Sequence, residues 1–189
     1  MHTYCILDGA RMLQKLDQAK SLNQDSISLY AGLPLEILES VSPYIFFLDE
    51  GGSLSYWLTE QGWGKSWGIY IRTAVNGEDL YHHFRKFITV FTDQGKELYF
   101  RFYDPRALRI FLPTCNENQL KEFFGPVDSF IMEDKDAEYA VGFKLTGGRL
   151  ITSRVPKNEW IDELIPNNLG EENQEFETEE EFEGQETKS

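Results

Sequence analysis

A chain of 189 residues that is 41% apolar and 14% aromatic has the material for a sizeable core. Its net charge of −14 excludes a simple nucleic-acid grip, which needs clustered Lys and Arg. Two cysteines far apart, Cys5 and Cys115, exclude a disulfide framework and a Cys-based zinc site, and they read as reduced core residues of a cytosolic protein.

Met1-His2-Thr3-Tyr4 lacks the basic and apolar regions of a secretory signal, and no run approaches the roughly 20 apolar residues of a membrane span. The expectation is a cytoplasmic protein with no membrane contact.

In chain order, Tyr4 to Leu7 is an apolar strand ending at Asp8-Gly9. A helical pattern follows, with Ala10, Leu13, Leu16 and Leu22 roughly in register. Asp8 suits the cap of that helix, with a functional loop as the alternative. Ser28-Leu29-Tyr30 reads as a strand closed by Gly32-Leu33-Pro34, and Pro34 can open a helical turn over Leu35 to Ser40. Tyr44 to Leu48 is a strand, and Ser53 to Gln61 a helix stopped by Gly62 and Gly64. In the strand Trp67 to Thr73, Trp67, Ile69 and Ile71 share one face, with Tyr70 and Arg72 on the other. After Asn76-Gly77, Glu78 to Ile88 forms a helix with Leu80, Phe84, Phe87 and Ile88 on its apolar stripe.

Glu97 to Tyr103 carries the strongest strand pattern, with Leu98, Phe100 and Phe102 facing one way and Tyr99, Arg101 and Tyr103 the other. Asp104 is an N-cap for a helix that Pro105 begins, burying Leu108, Phe111 and Leu112. Pro113 ends it. A second helix has two candidate starts, Thr114 with Glu117 or Asn116 with Gln119, each spaced as a capping box. That helix buries Leu120, Phe123 and Phe124, and Gly125-Pro126 terminates it. Three strands follow: Phe130 to Glu133, Tyr139 to Leu145 and Leu150 to Val155. Thr146-Gly147-Gly148-Arg149 joins the last two as a hairpin.

This pattern predicts a mixed α+β domain over residues 1–156, with a mixed β-sheet, flanking helices and closing antiparallel strands. A short helix and an acidic tail occupy 157–189. Residues 171–189 hold nine Glu against one Lys, and the tail from Asn167 is expected to be disordered. Phe176 and Phe182, set among the glutamates, offer a second reading of the tail as a docking segment.

Packing leaves Arg101, Tyr103, Asp104, Arg106 and Arg109 unexplained, and a structural cluster and a recognition surface both remain open for them. Asp104 is the most structural of the set, and Arg106 and Arg109 are the best candidates for partner contact. His82-His83 cannot ligate a metal jointly, being adjacent on a helix, and they read as surface residues. Glu50-Gly51-Gly52-Ser53 lacks the lysine of a phosphate-binding loop. No nucleophile–base pairing is visible, so no enzyme, metal or cofactor is expected.

An ordered set of motifs resembles the adaptor, or chaperone, family of bacterial type VI secretion systems. It runs through Leu7-Asp8-Gly9-Ala10, Leu29-Tyr30-Ala31-Gly32-Leu33-Pro34, Pro43-Tyr44 and Trp67-Gly68. It continues through Phe87-Ile88-Thr89-Val90, Phe100-Arg101-Phe102-Tyr103-Asp104-Pro105-Arg106, Leu112-Pro113-Thr114 and Phe123-Phe124-Gly125-Pro126-Val127. The resemblance covers about residues 4–130. It implies a non-enzymatic cytosolic protein that binds an effector and helps load it onto a VgrG-type spike. Many members carry a helical C-terminal lobe, whereas strands, one short helix and an acidic tail follow Val127 here.

On this reading the partner-binding residues are Arg101, Tyr103, Arg106, Arg109, Tyr70 and Arg72. The structural positions are Asp8, Gly9, Gly32, Pro34, Asp104, Pro105, Gly125 and Pro126. The competing reading is an acidic immunity or mimic protein that blocks a basic partner. A small hydrolase is a further alternative.

Overall fold

The computed structural model describes residues 1–31, 41–91, 94–95 and 97–165. The expected helical turn at 35–40, Gly32, Pro34 and the acidic stretch from Asn167 lie outside the described residues.

Strands β1 (His2–Asp8), β2 (Ser26–Ser28), β3 (Pro43–Leu48) and β4 (Gly68–Thr73) form one half of the main sheet. Strands β5 (Thr89–Phe91) and β6 (Glu97–Tyr99) pair as a separate two-stranded ribbon. Strands β7 (Val127–Glu133), β8 (Tyr139–Thr146) and β9 (Arg149–Pro156) complete the main sheet, whose order is β2-β3-β1-β4-β7-β8-β9.

The mixed α+β class is as the pattern predicts, but the expected parallel pairing is corrected: every described pair in the sheet is antiparallel. The physical reason lies in the insertions. Helical segments do link strands of like direction, β1 to β2 and β3 to β4. In each case an oppositely directed strand fills the gap, β3 in the first and β1 in the second. Alternation of strand and helix therefore did not require parallel neighbours.

Two core layers cover the two sheet faces. Tyr4, Ile6, Ile69, Ile71, Phe130 and Met132 pack beneath α4 (Gly77–Phe84), α5 (Pro105–Phe111) and α6 (Glu117–Phe124). Phe84 stacks on Phe102 at 5.1 Å between centroids, and Phe123 meets Phe87 and Phe111 edge-on. Cys5, Leu7, Phe46, Tyr70 and Ile131 pack on the other face. Residues of α1 (Gly9–Met12), α2 (Lys15–Leu22), α3 (Ser53–Trp57) and α7 (Lys157–Leu164) cover them. Trp160 of α7 is buried and meets Tyr70 edge-on at 5.4 Å.

Local chemistry explains most boundaries. Asn116 and Gln119 form the capping box, with reciprocal bonds of 2.8 and 3.0 Å, which decides between the two candidate starts of α6. Gly125 follows at φ +47, where an added Cβ would overlap the His83 ring. The hairpin closes with Thr146 opposite Arg149 and positive φ at Gly147 and Gly148.

Several expectations are corrected. Leu13 is 68% exposed at φ +51, because the chain breaks between α1 and α2, and Met12 takes the buried place. The helix expected over 53–61 ends at Trp57 and continues as a π-helical turn, Leu58–Gly62. Trp67 leaves the face of Ile69 and Ile71 to stack on Trp57 at 5.2 Å, since β4 begins only at Gly68. His83 is buried, its Nε2 2.8 Å from the Phe123 carbonyl oxygen, so of this adjacent pair His82 alone is at the surface.

The strand expected over 97–103 stops at Tyr99, and its alternation fails. Leu98 and Tyr99 are both exposed, whereas Phe102 and Tyr103 are both buried. The chain must turn to feed Pro105 into α5, and the Asp104 amide closes that turn on the Arg101 carbonyl at 3.1 Å.

Candidate functional site

The end of the sheet where β1 stops gathers an unusual density of charge. Asp8 is the last residue of β1, on the same face as Tyr4 and Ile6, and it is fully buried. Its amide donates to the Trp67 carbonyl at 2.7 Å, and the next amide, Gly9, donates to Ser42 at 3.1 Å. A Cβ at Gly9 would overlap the Ser42 carbonyl, so this close approach requires glycine.

The Asp8 side chain does not cap α1, contrary to expectation. Its Oδ2 instead accepts from the Arg101 guanidinium, a pairing across 93 positions of chain. A buried carboxylate gains more from a guanidinium than from a peptide amide, because charge opposes its desolvation cost. Its Oδ1 has no hydrogen-bond partner among the described residues. Burial by itself would lower the Arg101 guanidinium, but the bond and charge of Asp8 prevail and raise it.

Asp104 caps α5 as expected, accepting from the Arg106 amide at 2.9 Å. The same carboxylate takes a two-pronged grip from the Arg106 side chain, Nε at 3.0 Å and Nη2 at 2.6 Å. Burial works to raise the Asp104 carboxyl, and Arg106 outweighs it and holds the group below its ordinary value. Arg11 joins from α1, its Nη2 donating to the Lys65 carbonyl at 2.8 Å and its charge acting on Asp104. Its Nε is buried without a partner among the described residues.

Arg109 turns the other way along α5 and donates to the Glu133 carbonyl at the end of β7. The Glu133 carboxylate is buried and accepts from the Ser66 amide at 3.1 Å. Burial raises it, against the bonds from Ser66 and the charge of Arg109. Tyr103 is buried, its hydroxyl 3.4 Å from that of Tyr30, and burial followed by Tyr30 pushes its phenol up.

The structure thus brings Arg101, Tyr103, Asp104, Arg106 and Arg109 to one end of the sheet, but in unequal states. Arg101 and Arg106 present side chains 44% and 55% exposed, while Tyr103 is enclosed and Arg109 is half-buried against β7. Tyr70 and Arg72 do not belong with them. Tyr70 is buried on the opposite face, and Arg72 there pairs with Glu163 at 2.5 Å and lies over Trp160. Strand alternation placed these two together correctly, but the face is one that α7 covers.

Sequence reading missed Arg11 and Glu133. Arg11 follows Asp8-Gly9 by two positions, which was the available signal. Exposed apolar side chains close in sequence to these arginines were also missed: Leu13, two residues after Arg11, Tyr99, two before Arg101, and Ile110, one helical turn after Arg106, are 68%, 56% and 72% exposed. Among the described residues no group of three or more His, Cys, Asp or Glu is placed to hold a metal. No helix among them is long and apolar enough to cross a membrane.

The conserved-domain model named DUF4123, a domain of unknown function, matches residues 3–122. The chain belongs to this family. The matched span contains Asp8, Arg11, Arg101, Asp104, Arg106 and Arg109, so the whole paired cluster lies within the DUF4123 region. The match ends before β7, although β7 is the strand that closes the outer edge of β4. No curated protein and no solved structure matches the chain.

Proposed function

We propose that this DUF4123 protein is a cytosolic adaptor that binds a type VI secretion effector and promotes its loading onto a VgrG-type spike. The motif set from Leu7 to Val127 supplies the partner class, and the family match covers most of the same span. The observation that carries the binding role is the arginine end of the sheet. Arg101 and Arg106 are each anchored by a carboxylate yet remain about half exposed, and the exposed Ile110 follows Arg106 by one helical turn. A pre-positioned guanidinium loses little entropy on binding, which suits recognition of a protein surface.

On this reading the protein does no covalent chemistry. Burial raises both thiols and so keeps them protonated, which disfavours Cys5 and Cys115 as nucleophiles. The test is co-expression with candidate type VI effectors from the same organism. A stable complex and a more soluble effector are the expected results. An effector that stays soluble, loads onto the spike and is secreted without this protein ends the loading role.

The competing reading as an acidic mimic draws on residues 171–189, with nine glutamates. Deleting 167–189 separates the two, since an adaptor keeps its capture and a mimic loses its target.

A further inference from the structure

The charge at the end of β1 does not cancel itself. Three guanidinium groups, Arg11, Arg101 and Arg106, act on two carboxylates, Asp8 and Asp104. One positive charge is left over on a chain whose net charge is −14. Two atoms inside the cluster, Asp8 Oδ1 and Arg11 Nε, are buried without partners among the described residues. An unsatisfied buried polar group is costly, and a fold built only for stability has simpler apolar solutions at such a place. Those atoms are enclosed, so what a partner can reach is the exposed part of Arg101 and Arg106, 44% and 55% of each side chain.

The exposed donors have a definite chemistry. Arg106 spends Nε and Nη2 on Asp104, which leaves Nη1 for a ligand. Arg101 spends Nη2 on Asp8, which leaves Nε and Nη1. Donors of this kind take carboxylates, and the exposed Leu13, Tyr99 and Ile110, each within four residues of a cluster arginine, are candidates to take apolar side chains.

We infer that this end of the sheet binds an acidic segment of the partner protein, in which carboxylates alternate with apolar residues. Arg101 and Arg106 donate to the carboxylates, and the exposed Leu13, Tyr99 and Ile110 cover the apolar positions. The inference rests on the adaptor reading and specifies what the adaptor recognises. A chain of net charge −14 repels every polyanion, and a segment whose carboxylates are spaced by apolar residues meets less of that repulsion than a nucleic acid, whose backbone carries a charge on every unit.

The test uses the full chain and fluorescence anisotropy. The probe is a fluorescein-labelled synthetic peptide of alternating glutamate and leucine, compared with a twin carrying glutamine for glutamate. The glutamate peptide is expected to bind at least about tenfold more tightly than its twin, with affinity falling as salt rises. Arg106→Gln is expected to weaken it by about fivefold to thirtyfold, the worth of one charge-assisted bond. Arg101→Lys keeps the charge beside Asp8 while removing the planar fork, and it is expected to weaken binding with folding intact. Arg72→Gln, on the opposite face, is expected to leave binding unchanged.

Equal binding of the two peptides, or wild-type binding by both arginine variants, overturns the inference. So does tighter binding of a labelled single-stranded oligonucleotide. Binding that appears only after deletion of 167–189 also overturns it, by showing that the chain's own acidic stretch is the occupant. If the effector still co-purifies with the Arg106→Gln protein while the peptide does not bind, this inference falls and the adaptor reading stands. If peptide binding holds while no effector is captured, the adaptor reading falls instead.

Discussion

Asp8 and Arg101 meet across 93 positions of chain, the Asp8 side chain fully buried and the Arg101 side chain 44% exposed. The pair ties the end of β1 to the turn that launches α5. It also fixes where Arg101 can point.

That asymmetry sets a first prediction. Arg101→Ala leaves the buried Asp8 charge uncompensated and is expected to cost about 2–4 kcal/mol in urea unfolding. Adding Asp8→Asn to that variant removes the stranded charge and is expected to recover part of the loss. Arg101→Ala with an unfolding midpoint indistinguishable from wild type contradicts the pairing.

His83 sets a second prediction, in pH. Burial lowers its imidazole below the ordinary value, the bond to the Phe123 carbonyl opposes this, and Lys86 adds to the lowering. The unfolded chain therefore takes up this proton at higher pH than the folded one. Stability contributed by neutral His83 is present above about pH 6.5 and declines as pH falls from there through the lower folded value. Thermal melts of wild type and His83→Gln across that range are the measurement. The wild type is expected to lose more on acidification, and parallel curves contradict the assignment.

Gly125 gives a third. Alanine at φ +47 is strained, and its methyl group overlaps the His83 ring. Gly125→Ala is expected to cost at least about 1–2 kcal/mol from the backbone alone. Chemical denaturation checks it, and a neutral result shows that α6 can end in another geometry.

Trp160 gives a fourth. It is 3% exposed and joins the core beneath α7. Trp160→Ala is expected to cost about 3–5 kcal/mol and to increase amide exchange in α7. A loss below about 1 kcal/mol instead makes α7 an accessory to the sheet.

Much of the fold was legible in local chemistry. Asp104-Pro105, Asn116 with Gln119, and Gly147-Gly148 each act within a few residues, and the structure places each as a cap or a turn. What failed were inferences about non-local pairing. Asp8 looked like a cap because its partner, Arg101, lies far along the chain. Tyr103 looked available because its alternation with Phe102 was assumed to persist, yet the chain turns there and buries both. Arg72 was read on the correct face of its strand, but only the packing of α7 shows that Glu163 and Trp160 already occupy it. Of the three candidate contacts in the Phe-Arg-Phe-Tyr-Asp-Pro-Arg run, Arg101 and Arg106 keep exposed side chains, whereas Tyr103 is buried.

The position of β7 has a consequence for how the protein is made. The chain leaves β4 at residue 73 and supplies the neighbouring strand only at 127–133. On a ribosome, synthesis is vectorial at about 5–20 residues per second, so for a few seconds the nascent sheet carries a bare backbone edge. Residues 74–126, which include the aromatic cluster around Phe123, emerge during that interval and can collapse against the exposed face. A product truncated near residue 122 keeps the edge permanently open and is expected to aggregate, so the family-matched region depends on the strand that follows it.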